Sequence, residues 1–165
     1  MFVGRTMELA MFRFWYRFIP ENIAAINRRL TDVVYKKIDI TAFMGGVFEE
    51  ISKQYLWELN LQGKAAIPFV NLGRWWGNDP KKKQESEIDI MGTEDNKSTL
   101  FGECKWTKEK VDISILDDLV YKSTLFCHDS VHFYLFAKSG FTKGCRARAE
   151  ELGNVNLVKF EDMFE

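Results

Sequence analysis

"EIDIMGTEDNKSTLFGECKW", residues 87–106, holds two strand-like runs, 87–91 and 100–106, around the polar, turn-prone centre Asp95-Asn96-Lys97. A hairpin turning at Asn96 sets Met91 opposite Phe101, Asp89 opposite Glu103 and Glu87 opposite Lys105. Side chains alternate along a strand, so these residues share one face, while Ile88, Ile90, Leu100, Gly102 and Cys104 share the other. Directly opposed residues have Cβ atoms about 4.5–5.5 Å apart, and like charges there destabilise a sheet. Asp89 facing Glu103 is therefore a cost to a purely structural hairpin. A divalent cation, which takes carboxylate oxygens, would remove it. The bland alternative is a solvated surface hairpin with a Glu87–Lys105 cross-strand ion pair.

Outward from this hairpin the chain alternates between periods. A strand is expected upstream at 67–76, and the hairpin strands at 86–92 and 99–106. A helix at 112–126, a buried strand at 131–139, a basic helix at 142–152 and a short strand at 155–160 follow. Before them, Thr41 is placed to cap a helix over 42–60, with Phe43, Val47, Ile51 and Tyr55 at successive turns. The order α-β-β-β-α-β-α-β predicts an α/β fold, a mixed sheet flanked by helices on both faces. Residues 41–165 form this domain, and residues 1–40 form an N-terminal aromatic helical segment. In that segment "MELAMFRFWYRFI", residues 7–19, is apolar almost all round and is expected to end at Pro20, with a second helical stretch within 21–40. So much apolar surface predicts that Phe12, Trp15 and Phe18 are substantially buried, in this chain or in a homo-oligomer formed through the helix. The other reading is an exposed face for a docking partner.

Bulk properties narrow the class. The net charge is −1, so any DNA binding must rest on local charge. Three scattered cysteines form no C-x-x-C pair, which argues against structural zinc and for a reduced, cytoplasmic protein. Arg5 and Glu8 interrupt the N-terminus before a signal sequence could develop, and Arg13 and Arg17 interrupt the longest aromatic stretch, so no membrane association is expected.

An acid-bearing helix, then Asp89, then Glu103-Cys104-Lys105 on the next strand resembles the PD-(D/E)XK nuclease superfamily. The α-β-β-β-α-β order is similar to the superfamily's restriction-endonuclease-like core. Over nearly the whole chain, "FRFWYRFI", "FMGGVFEE", "RWWG", "EIDI" and "FGECKW", in that order, are similar to the uncharacterised C-terminal domain of archaeal-type (DEXX-box) ATPases. Ile88 stands where the superfamily's name has proline. The resemblance implies hydrolysis of DNA phosphodiester bonds with Mg²⁺ or Mn²⁺. In it Asp89 and Glu103 hold the metal, and Glu49 completes the carboxylate set in preference to its neighbour Glu50. Lys105 orients the attacking water or neutralises charge on the phosphate. An ATPase module in cis or in trans is implied as a partner. No G-x-x-x-x-G-K-[ST] loop occurs here, so the chain reads as an excised domain or fragment.

Around these residues, Lys81, Lys82 and Lys83 form a lysine run just before the Asp89 strand, where phosphate contacts are one use and a solvated loop the other. Lys108 and Arg146 extend a possible basic path. Trp75 and Trp76 suit core packing or base stacking, His128 and His132 read as structural, and Cys104 alternates away from the acids. The alternative function is a non-catalytic DNA-binding or partner-docking module.

Overall fold

The expected order of elements is present. A computed structural model describes residues 2–94 and 98–164, with side chains from residue 8 onward in the first helix. The turn centre Asp95-Asn96-Lys97 lies outside the described residues. The elements are α1 (Phe2–Asn27), α2 (Thr31–Lys37), α3 (Ile40–Leu61), β1 (Asn71–Asp79), β2 (Gln84–Thr93), β3 (Ser98–Lys105), α4 (Ile113–Ser123), β4 (Ser130–Ala137), α5 (Lys143–Leu152) and β5 (Val155–Lys159). A 3₁₀ turn at Glu161–Phe164 follows. The strands lie in sequence order, antiparallel from β1 to β3 and parallel from β3 to β5. The sheet is mixed because the first connections are hairpins and the later ones are helical crossovers.

Strand β4 reads "SVHFYLFA" because it is covered on both sides. Tyr134 and Phe136 meet α3, whose Val47, Phe48, Ile51 and Leu56 also cover Ile90, Leu100 and Cys104. Leu135 and Ala137 turn to the opposite face, onto Leu116 of α4 and Cys145 and Ala149 of α5. Phe101 and Phe133 pack there with Leu119 and Ile88.

Local chemistry sets the boundaries. Asp39, rather than Thr41, caps α3: its carboxylate accepts from the Ala42 amide at 2.8 Å, and the helix starts at Ile40. The Thr142 hydroxyl accepts from the Cys145 amide at 3.2 Å to open α5, and Gly153, with φ 72°, closes it in the left-handed region. Pro20 does not end α1, which runs on to Asn27. A proline ring disrupts the carbonyls of the turn before it. The Asn22 side chain donates to the Phe18 carbonyl at 2.8 Å in the turn around Pro20. The helix ends instead near Arg29, at φ 60°.

Phe14 and Phe18 pack on Phe43 of α3, with ring centroids 5.7 and 5.6 Å apart. Phe18 is half-buried, but Phe12 and Trp15 are 64% and 52% exposed, against the expectation of burial within the chain. Among the described residues, α1 packs mainly on α3, and the side carrying Phe12 and Trp15 faces away from it.

The β2–β3 register is the expected one where the strands pair, with Met91 opposite Phe101, but the last pair is Ile90 with Gly102. The β1–β2 register contains a bulge: Gly73 faces Met91 and Trp75 faces Ile88, so β2 carries one extra residue. This reverses the alternation beyond it. Ile88 therefore joins Phe101 and Phe133 under α4 rather than Ile90 under α3. Glu87 lies opposite Trp76 of β1, and the expected pair with Lys105 does not form.

Candidate active site

The bulge and the end of the β2–β3 pairing fall on Asp89. Its Oδ2 accepts from the Cys104 amide at 2.9 Å, so a buried carboxylate bridges the two strands where their register pairing has stopped. Its Oδ1 lies 3.7 Å from Arg74 Nη2 on the bulged part of β1. The same nitrogen is 3.6 Å from Glu49 of α3 and 3.4 Å from Glu87. One guanidinium thus faces three carboxylates, at distances looser than tight charge-assisted hydrogen bonds.

Glu103 lies on β3, buried under α4. Lys105 donates to its Oε1. Its Oε2 is buried and accepts no hydrogen bond, with Lys122 Nζ of α4 at 3.6 Å. Lys122 is also 3.0 Å from Asp118, which is 3.3 Å from Lys82. Charges of alternating sign therefore run from the β1–β2 turn to the acids.

Burial raises the Glu49 carboxyl above the usual 4.5, Asp89 adds to this, and Arg74 and Lys53 only partly offset it. Glu103 is raised in the same way, by burial first and Asp89 second, against Lys105 and Lys122. For the Lys105 ammonium, burial acts downward, but the attraction and hydrogen bond of Glu103 outweigh it and its pKa rises. Burial pushes the Cys104 thiol well up, with Asp89 adding to the effect, so it stays protonated and packs as an apolar group.

Asp89 of β2 therefore stands between two groups, Glu49 of α3 with Arg74 on one side and Glu103 of β3 with Lys105 and Lys122 on the other. Glu50, the competitor of Glu49, points outward to Lys53 at 3.0 Å. Sequence reasoning missed Lys122 and the hub at Arg74. The spacing of Asp118 and Lys122, one helical turn apart on the helix following β3, was a legible signal for the first. The second depends on the bulge. Lys81, Lys82 and Lys83 sit in the β1–β2 turn, where the buried Asp79 accepts from the amides of Lys81 and Lys82 at 2.8 and 3.0 Å and from Tyr121 Oη at 2.8 Å. Lys82 Nζ lies 4.0 Å from the Tyr121 ring centroid. Lys108 is exposed beyond β3, and Arg146 lies over Phe141 on α5. Trp75 packs on Phe126, with centroids 4.9 Å apart, while Trp76 is 78% exposed beside Glu87.

Among the described residues, no three His, Cys, Asp or Glu side chains converge closely enough to hold a metal ion by themselves. Mg²⁺ does not require that: it keeps several waters and is commonly held by one or two carboxylates together with substrate phosphates. Asp89 and Glu103, with the hydrogen-bond-free Oε2 of Glu103, suit such a hard cation. No helix of the described residues is long and apolar enough to cross a membrane.

The family model described as "Archaea bacterial proteins of unknown function" (DUF234) matches residues 15–115, more than half of the chain, and the chain belongs to that family. An uncharacterized protein of Methanocaldococcus jannaschii is 33% identical over 152 residues, covering 90% of this chain. The match takes in only 32% of that relative, so the chain spans about a third of its length. No solved structure matches the chain significantly.

Proposed function

We propose that this member of the DUF234 family is a metal-dependent nuclease-like domain that hydrolyses phosphodiester bonds of DNA, on a restriction-endonuclease-like arrangement of the PD-(D/E)XK type. The observation that carries the reading is the placement of Asp89 and Glu103, two buried acids of like charge kept beside a lysine where β2 and β3 part. Burial and Asp89 together raise Glu103, and a bound hard cation would relieve that repulsion.

In this reading Asp89 and Glu103 hold Mg²⁺ or Mn²⁺, with Glu49 close behind them. The bound ion would supply a water of lowered pKa and stabilise the charge that develops on the phosphate. Lys105, fixed by Glu103, keeps an ammonium where the phosphate oxygens and the attacking water would lie. Arg74 balances part of the charge of Glu49, Glu87 and Asp89. Lys81, Lys82, Lys83 and Lys108 offer phosphate contacts nearby. An ATPase module, in the same polypeptide or another, and a second copy of the chain meeting it through α1 are the proposed protein partners, in the cytoplasm.

A second reading is a non-catalytic DNA-binding or docking module. The exposed aromatic side chains of α1 favour it, since they suit a protein partner. Incubation with single-stranded, duplex and branched DNA in Mg²⁺ or Mn²⁺ separates the two. Cleavage by the wild type that is lost in Asp89→Ala supports the nuclease. Binding without cleavage in any metal supports the module.

A further inference from the structure

Arg13 and Arg17, one turn apart on α1, line a cleft of about 620 Å³ between α1 and α3. The opposite wall carries Gly46, Glu49 and Glu50, so the cleft reaches the outermost acid of the candidate site. The acids there already have partners: Glu49 is 3.6 Å from Arg74, and Glu50 is 3.0 Å from Lys53. Among the described residues neither arginine forms an ion pair, and the guanidinium of Arg17 only rests over the Phe18 ring, 5.4 Å from its centroid. Both are exposed. Tyr16 lines the same cleft, 71% exposed, with its ring set edge-on to Trp15. At Gly46 the space that a Cβ would occupy is open.

Two uncommitted guanidinium groups flank an accessible aromatic ring in a cleft of small-ligand size. This is the combination that holds single-stranded nucleic acid, in which cations track the backbone and a ring takes a base. An intact duplex is too broad for such a cleft. We infer that the α1–α3 cleft binds a single-stranded DNA segment, with Arg13 and Arg17 on its phosphates and Tyr16 stacked on a base, and leads that strand to the acids. The last step rests on the nuclease reading; the binding does not.

The test is fluorescence anisotropy of the whole chain with labelled oligothymidylate, and with a duplex of equal length, in EDTA so that no cleavage occurs. Arg13→Ala/Arg17→Ala should weaken oligothymidylate binding about tenfold or more. It should also flatten the salt dependence by roughly 1.4 in slope, about 0.7 for each phosphate that an arginine no longer neutralises. Tyr16→Ala should weaken binding about fivefold or more. Arg13→Lys/Arg17→Lys should recover most of the affinity, and unchanged melting temperatures would show that the variants are folded. Unaltered affinity in the double alanine variant overturns the inference, as does a change in molecular mass in place of DNA affinity, which would mark a protein-binding face. The two readings also fail separately. Arginine-dependent binding by a wild type that never cleaves leaves the cleft and removes the nuclease. Asp89-dependent cleavage with arginine-indifferent binding does the reverse.

Discussion

The Asp89 carboxylate accepts from the Cys104 amide at 2.9 Å, so a side chain bridges β2 and β3 just past their last register pair, Ile90 with Gly102. The residue proposed to hold the metal is thus also part of the sheet.

That double role makes two substitutions at Asp89 behave differently. Asp89→Ala leaves the Cys104 amide without its acceptor and should cost about 1–3 kcal/mol of stability, besides abolishing cleavage. Asp89→Asn keeps an acceptor oxygen and should stay close to wild type in urea unfolding while losing cleavage. Equal stability of the two variants would mean that the hydrogen bond contributes little to folding.

Metal and pH should act on stability together. Glu49 and Glu103 titrate above the ordinary 4.5. Their contribution is full below the unfolded value and is lost as pH rises through the folded values. Asp79 has the opposite sign. Although burial acts to raise its carboxyl, hydrogen bonds from the Lys82 amide, Tyr121 and the Lys81 amide lower it, so its contribution is lost as acid protonates it. Melting temperature should therefore decline above about pH 4.5 wherever the two glutamates dominate, and Mg²⁺ should restore it near pH 7. Glu103→Gln should flatten both responses. A Mg²⁺ shift that survives Glu103→Gln would place the ion elsewhere.

Lys105 and Lys122 should separate in their effects. Lys105→Met removes the ammonium nearest the proposed phosphate position and should lower the cleavage rate by on the order of 10²–10³. Lys122→Met removes the cation facing the hydrogen-bond-free oxygen of Glu103 and raises that carboxyl further. The acidic limb of the pH–rate profile should move to higher pH, with a smaller loss at its plateau. A pH profile unchanged in Lys122→Met would remove Lys122 from the site.

The outward side of α1 gives a prediction about mass. Met11, Phe12 and Trp15 are exposed in the single chain. If a second copy covers them, light scattering should show a dimer that Trp15→Glu converts to a monomer without loss of stability. A monomeric wild type would assign this side of the helix to a different protein.

Element order and the mixed sheet were legible because periodicity is a local property, whereas the choice of Glu49 rested on a resemblance and not on spacing. The β2–β3 register was legible only between Thr93–Thr99 and Ile90–Gly102; the expected pairs Asp89–Glu103 and Glu87–Lys105 lie beyond the last register pair and do not form. The face of Ile88 and the partner of Glu87 were not legible, because the bulge depends on how β1 lies against β2. Helix continuity through Pro20 was not legible, and the cap at Asp39 displaced the one read at Thr41. Exposure of Phe12 and Trp15 is tertiary information: a helix sequence states how much apolar surface it carries, not what covers it.

The extra residue in β2 makes the site sensitive to the reading frame of the strand rather than only to its letters. Many single substitutions between Glu87 and Met91 leave the count of residues intact and alter one side chain. Loss of the codon for Asp89 or Ile90 would remove the bulge and restore unbroken alternation. Ile88 would stay on the face of Met91 under α4, but the offset that sets Arg74 against the acids it now faces would be abolished. A library of one-codon deletions scanned along β2 should therefore show its sharpest loss of function at the bulge, while deletions in the β1–β2 turn, at 80–83, shorten a loop and leave that arrangement in place.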